Sequence, residues 1–274
     1  MAPAAAPPAS PFTMMTVAGR RLRVADWTGP DWHNGPDAPP PLVLFIGLGM
    51  NLEMIETVVR ALPERRVISF DAPGIGKSPD AFLPYTIPGL ALATGLLLDR
   101  LGVDTIDLVG FSWGGALAQQ FAFQNRSRVR KLVLAATSAG AAMLPGNPTI
   151  LSELIDPFQF TSARPLKKTL AMIYGGGAHD PISLNAATPP TPWGWACQLG
   201  AYAAWTSLPF LPLLAVPTLL MTDDDDQIVP PANAEMLHTL LPDSRLVRSR
   251  GGGHLFMLTR GREFVAALRE FLDS

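Results

Sequence analysis

The 274-residue chain has a single cysteine, Cys197, and only 16% charged residues. One thiol excludes an internal disulfide framework and any cysteine-based zinc site, and fits a reducing compartment. A formal net charge of −2 leaves no electrostatic footprint for nucleic acid. No internal repeat is visible. The opening "MAPAAAPPASPF" has no basic n-region and no unbroken apolar run, so it does not read as a secretory signal. Residues 1–12 are expected to form a flexible Pro/Ala-rich tail. Charge is also missing from Pro181 to Thr222, a stretch long enough to span a bilayer. Pro209, Pro212 and Pro217 interrupt it where a spanning helix needs its backbone bonds, so no transmembrane segment is expected.

What is present is apolar. Hydrophobic residues make up 48% of the chain and mean hydropathy is +0.22, enough for one large core or one domain with an insertion. "FTMMTV" and "RLRVADW", joined across Ala18-Gly19, read as an antiparallel hairpin. Short apolar runs then alternate with helical patterns. "LVLFIG", "RVISFDA", "IDLVGFS" and "KLVLAAT" are strands, with helices over residues 52–62 and about 88–101, and in "GGALAQQFAFQ". The alternation stops at Ser138. It resumes with the strand "TLLMT", a helix through "ANAEMLHTLL", the strand "RLVRSR" and the helix "FVAALREFL". This pattern predicts an α/β fold, a mostly parallel sheet covered by helices on both faces. Residues 13–137 and 217–274 form its core. The irregular Trp- and Pro-rich segment 138–216 is an insertion, a cap over the sheet's C-terminal edge, where open α/β sheets bind ligands.

The sharpest chemical signal is "LVGFSWGG". Gly110, Ser112 and Gly114 form G-x-S-x-G between a strand and a helix, the context that exposes a nucleophilic serine on a strained turn. A serine nucleophile needs a general base. Of four histidines, His33 lies in the N-terminal loop, His179 in the insertion and His238 on an amphipathic helix. His254, in the glycine-rich "RGGGHLF" after the last strand, is placed to reach Ser112.

Four consecutive aspartates follow "TLLMT", between serine and histidine in chain order. One should fix the His254 tautomer and stabilise its imidazolium; Asp226 is the first choice and Asp225 the second. Asp223 and Asp224 are expected to be turn residues bonding local backbone and meeting water. A metal site is disfavoured, because adjacent residues on one turn rarely converge on one ion. An oxyanion hole would take the Trp113 N–H and one amide of the turn in "FIGLGMN", from Leu48 or alternatively Gly49. "DAPGIGKS" ends like a phosphate loop, but Asp71 stands where the first glycine belongs, so a strand-end turn is expected.

Taken together, "GLGMNLE", "FDAPGIGKS", "SWGGALAQQFA", "KLVLAAT", "IYGG", "WTS", "DDDDQIVP" and "GHLFMLTR" resemble the α/β-hydrolase superfamily. Within it, they resemble the intracellular poly(3-hydroxyalkanoate) depolymerases that act on medium-chain-length polyesters. The resemblance implies an α/β-hydrolase fold with a cap, a Ser112–Asp226–His254 triad, and attack on ester links between 3-hydroxyacyl units. It further implies a cytoplasmic place of action at polymer granules. The acid turn departs from that family at Asp223 and Gln227, where glycine and proline are expected. A subset of the insertion's aromatic residues, Trp193, Trp195 and Trp205 among them, is expected to line an acyl-chain slot or form a patch that adsorbs to polymer. The rest should pack the cap.

The chemistry implied is ester hydrolysis through an acyl-enzyme, with no cofactor and no metal. Two alternatives remain. One is a small-ester esterase, or a transferase or thioesterase acting on CoA or carrier-protein thioesters, for which Arg126, Arg128, Arg130 and Lys131 would offer a modest basic docking cluster. The other is a non-enzymatic protein of the same fold.

Overall fold

The computed structural model describes residues 10–35, 37–155 and 188–274. Most of the tail, His179, the "IYGG" segment and the middle of the expected cap lie outside these residues. The sheet has eight strands in the order β1-β2-β4-β3-β5-β6-β7-β8. β1 (Phe12–Val17) and β2 (Arg20–Thr28) form the expected hairpin, and β2 also runs antiparallel to β4 (Arg66–Phe70). The two-residue turn needs positive φ twice, and Ala18 and Gly19 supply 48° and 73°. Phe12, the first residue of the expected strand, opens β1 opposite Ala25.

The remaining neighbours, β3 (Leu42–Phe45), β4, β5 (Ile106–Phe111), β6 (Val129–Ala135), β7 (Thr218–Asp223) and β8 (Ser244–Ser249), pair in parallel. These strands read as apolar runs because both faces are covered. Val43 and Phe45 join a core cluster with α2 (Ile87–Arg100) and α3 (Trp113–Gln124) on one face. Leu42, Leu44 and Ile46 join a second cluster on the other face, with α1 (Glu56–Arg60) and the two C-terminal helices.

The described parts of segment 138–216, residues 138–155 and 188–216, are more regular than their composition suggested. They contain α4 (Pro148–Ile155) and α5 (Pro192–Ala203). Pro148 and Pro192 open these helices, whereas Pro209, Pro212 and Pro217 lie beyond the end of α5. Thr191 is the N-cap of α5, accepting the Gly194 N–H on its side chain, and Pro192 occupies the first turn, where it has no N–H to waste. The chain returns through β7, α6 (Ala232–Leu240), β8, a short α7 (Phe256–Thr259) and α8 (Gly261–Asp273). Among the described residues, no helix is long and apolar enough to cross a membrane.

The C-terminal ends of β3, β5 and β7 and the loop after β8 meet at one edge of the sheet. They bring the Gly47–Met50 turn, Ser112, the four aspartates and His254 to that edge.

Candidate active site

Ser112 stands between β5 and α3 with φ 53° and ψ −119°, a left-handed backbone that a residue with a Cβ adopts only under constraint. The constraint is local packing. Its N–H donates to Ala135 O at 2.8 Å, and its carbonyl accepts from Gly115 N–H at 2.8 Å and Thr137 Oγ1 at 2.7 Å. The flanking glycines are sterically required. A Cβ at Gly110 would lie 2.5 Å from Ala118 Cβ, at Gly114 2.3 Å from Phe45 O, and at Gly115 2.4 Å from the Thr137 side chain. The Gly114 contact presses the first turn of α3 against the end of β3. It also sets the helix's positive end at the serine, where the dipole favours developing negative charge.

His254 Nε2 lies 2.9 Å from Ser112 Oγ, and His254 Nδ1 lies 2.8 Å from Asp226 Oδ2. Ionised Asp226 only accepts, so Nδ1 carries the proton and Nε2 is left to accept from the serine hydroxyl. The other Asp226 oxygen accepts the N–H groups of Ile228 and Val229 at 2.8 and 2.9 Å. The carboxylate is therefore held at both oxygens, and it is 2% exposed. Phe111 packs on the imidazole, with ring centroids 5.6 Å apart.

Each of the other three aspartates has its own partner. Asp223, expected at a wet local turn, is wholly buried. Its Oδ1 accepts from the Asp225 and Gly253 N–H groups, both at 3.0 Å, and its Oδ2 from Ser249 Oγ at 2.8 Å and Gly252 N–H at 3.0 Å. It reaches the histidine loop because β7 and β8 pair with Asp223 opposite Ser249. Asp225 Oδ2 accepts Gly251 N–H at 2.7 Å. Asp224 pairs with Arg248 on the surface at 2.7 Å. The glycines of "RGGGH" thus present their amides to this turn, and Thr259 Oγ1 closes on Gly252 O from α7 at 2.8 Å.

The turn after β3 approaches the elbow from the other side. Gly49 N–H is occupied by Gln198 Oε1 at 2.8 Å, which removes it as an oxyanion donor. Met50 N–H donates to Gly47 O at 3.1 Å. The N–H groups of Leu48 and Trp113 have no acceptor among the described residues. Gln198, on α5, was not singled out from sequence, because one glutamine inside an apolar run carries no pattern.

The "DAPGIGKS" turn is structural. Buried Asp71 accepts from Leu52 N–H at 2.9 Å, Lys77 N–H at 3.0 Å and Arg23 Nη1 at 3.2 Å. Burial lifts the Asp71 carboxyl above its ordinary range despite these donors. Beside it, burial also opposes ionisation of Glu53, but hydrogen bonds from Arg23, Lys77 and Asn51 outweigh it and hold that carboxyl down at about 2. Cys197 is buried, and desolvation followed by the nearby Asp80 charge raises its thiol, so it is a poor rival nucleophile.

The tryptophans serve three different places. Trp195 is buried against the Gly49 backbone, where a Cβ would meet its Cζ3 at 2.6 Å. Trp205 is buried in the core, donating from Nε1 to Gln120 Oε1 at 2.7 Å. Trp193 is half-exposed and donates from Nε1 to Ala81 O at 2.7 Å. His33 and His238 are exposed, and His238 Nδ1 lies 2.8 Å from Ser244 Oγ.

A family model describing the alpha/beta hydrolase fold matches residues 40–261. Over 239 residues the chain is 39% identical to a poly(3-hydroxyalkanoate) depolymerase of Ectopseudomonas oleovorans, covering 85% of this chain and 84% of that protein. It is 28% identical to a pimeloyl-[acyl-carrier protein] methyl ester esterase of Neisseria meningitidis, covering 87% and 95% of the two chains. Among solved structures, an esterase from Exiguobacterium antarcticum superposes with a TM-score of 0.81 at 24% identity, covering 96% of this chain and 99% of that one.

Proposed function

This chain belongs to the α/β-hydrolase family, and from that membership and the site geometry we infer a serine carboxylic-ester hydrolase acting on 3-hydroxyacyl polyesters. The observation that carries the inference is the continuous Ser112–His254–Asp226 relay, with contacts of 2.9 and 2.8 Å, at a strained elbow. Ser112 Oγ attacks the ester carbonyl as His254 Nε2 takes its proton. Asp226 holds the resulting imidazolium. The N–H groups of Leu48 and Trp113 receive the oxyanion. His254 then protonates the leaving alcohol, and water activated by the same histidine releases the acid from the acyl-enzyme. The chain's own side chains supply every proton transfer, so the scheme calls for no cofactor. Residues 138–216 act as the cap over this site.

The polyester reading draws on the 39% identity to the depolymerase and on an uncharged surface that includes the start of α5. Residues 81–98 and 188–222 carry no charge, and they hold most of the exposed large hydrophobic side chains among the described residues. Phe82 is 96% exposed and Leu83 69%, and Trp193 is tied to the same loop through Ala81. Exposed apolar side chains on an uncharged surface suit an uncharged, water-insoluble polyester, which supports action at a polymer granule.

Carrier-dependent acyl transfer has less support. Arg130 is bound bidentate to buried Asp107, Lys131 to the C-terminal carbonyls, Arg128 to Asp99 and Gly95 O, and Arg126 stacks on Phe123. The cluster is committed within the fold.

The test is acid release from an amorphous poly(3-hydroxyoctanoate) emulsion by wild type and by Ser112→Ala. Release by wild type alone is expected. An intact polymer alongside cleavage of p-nitrophenyl esters would return the assignment to small-ester hydrolysis.

A further inference from the structure

In the turn after β3, the Gly49 amide is held by a residue 149 positions away, on the helix that lies across the site. Gln198 is 1% exposed. Because Gly49 N–H is a donor, the side-chain oxygen of Gln198 must face it. The Gln198 backbone carbonyl accepts the Trp113 indole Nε1 at 2.9 Å. One residue of α5 therefore grips both segments assigned to the oxyanion hole. Around this point α5 has little freedom to shift. Gly49 has φ +68° and lies against Trp195, and a Cβ at Gly194 would lie 2.4 Å from Gly74 O. Thr191 N–H also donates to Gly74 O at 3.0 Å, and Thr188 N–H to Asn51 Oδ1 at 3.1 Å.

An oxyanion donor works only if it is aimed in advance at the place where charge develops. In this turn Met50 N–H closes back on Gly47 O and Gly49 N–H is taken, which leaves the Leu48 amide. Resting on the serine-hydrolase reading above, we propose that Gln198 is a positioning residue that anchors the Gly49 N–H, and with it the turn on either side of Leu48, so that the Leu48 N–H of the preceding peptide points at the reacting oxygen. The helix above the site then supports the oxyanion hole as well as covering it.

The test compares Gln198→Met, which removes the acceptor at similar volume, with Gln198→Glu, which keeps an oxygen facing Gly49. For p-nitrophenyl octanoate, the Met variant should lose roughly 10- to 100-fold in kcat, less than the full loss of an oxyanion donor, with KM changed less than about twofold. Octaneboronic acid, whose serine adduct places an oxygen in the hole, should bind more weakly by the same factor as the fall in kcat. The Glu variant should recover most of both. An unchanged kcat in Gln198→Met, a loss confined to KM, or a Glu variant as slow as Met would each overturn the proposal. If Met does not fold by circular dichroism, Gln198→Asn, which withdraws the amide by one methylene, is judged by the same criteria. Full activity of Ser112→Ala would remove the serine mechanism and this role together. An active wild type with an indifferent Gln198 variant would remove this role alone.

Discussion

The Asp223 carboxylate accepts the N–H groups of Gly252 and Gly253, the two residues that immediately precede His254. It has no hydrogen bond to the imidazole, yet it sets where the imidazole starts. Three residues on, Asp226 binds the ring itself. The acidic run therefore grips one loop at its backbone and at its side chain.

Asp226, Asp223 and Asp224 should separate in a substitution series. Asp226→Asn disturbs the tautomer and should lower kcat on the order of 10³- to 10⁴-fold. Asp223→Asn turns a donor toward donors in a buried place, and should cost about 1–3 kcal/mol of stability. Its kcat should fall roughly 10- to 100-fold through misplacement of His254. Asp224→Asn should stay within about 0.5 kcal/mol of wild type, because its partner Arg248 also pairs with Glu235. Chemical denaturation and steady-state kinetics read all three. Equal effects across the run would refute the division of roles.

Gly114→Ala should destabilise the fold by about 1–3 kcal/mol through overpacking, because the new Cβ would lie 2.3 Å from Phe45 O. The only relief is to lift α3 from the end of β3, which parts Trp113 from the Leu48 turn. The residual folded enzyme should therefore show a lower kcat. A variant with wild-type melting temperature and kcat would mean that this contact is slack.

Phe82→Ser combined with Leu83→Ser should weaken sedimentation with poly(3-hydroxyoctanoate) particles and slow acid release from them. Hydrolysis of a soluble p-nitrophenyl ester should be unaffected, since neither residue touches the Ser112 relay. Equal binding to particles by the double variant and wild type would rule out this loop as the adsorbing surface.

Glu53 gives a pH signature. Its folded value of about 2 lies below its ordinary 4.5, so its contribution to stability is present above about 4.5 and is lost as pH falls toward 2. That contribution should be on the order of 2–3 kcal/mol at neutral pH. The stability gap between wild type and Glu53→Gln should therefore shrink across this window in urea melts at successive pH values. A gap that stays constant down to pH ~2 would show that the Arg23 and Lys77 contacts do not depend on the Glu53 charge.

Much of this was legible in the sequence, for a physical reason. Strands covered on both faces must be apolar, so β3 to β7 announce themselves, and an elbow that crowds a helix against two strands tolerates only glycine around Ser112. Asp226 was legible from chain order. Asp223 makes the expected local bond to Asp225 N–H, but its burial and its bonds to Ser249, Gly252 and Gly253 escape the sequence, because those partners arrive through β7–β8 pairing. The helicity of residues 192–203 was hidden by the irregular Trp- and Pro-rich composition around it, although Thr191-Pro192 is a helix start. Gln198 left no trace, since its significance depends on contacts made across the whole core.

The backbone at Ser112 has a consequence for how such a chain persists over generations. A positive φ on a residue with a Cβ costs about 1–3 kcal/mol, and glycine would escape it. Ser112→Gly should therefore melt at a higher temperature than wild type while losing its hydroxyl. Drift under selection for folding alone would favour glycine there, and the chain instead retains a hydroxyl at the one place where keeping it makes the fold weaker.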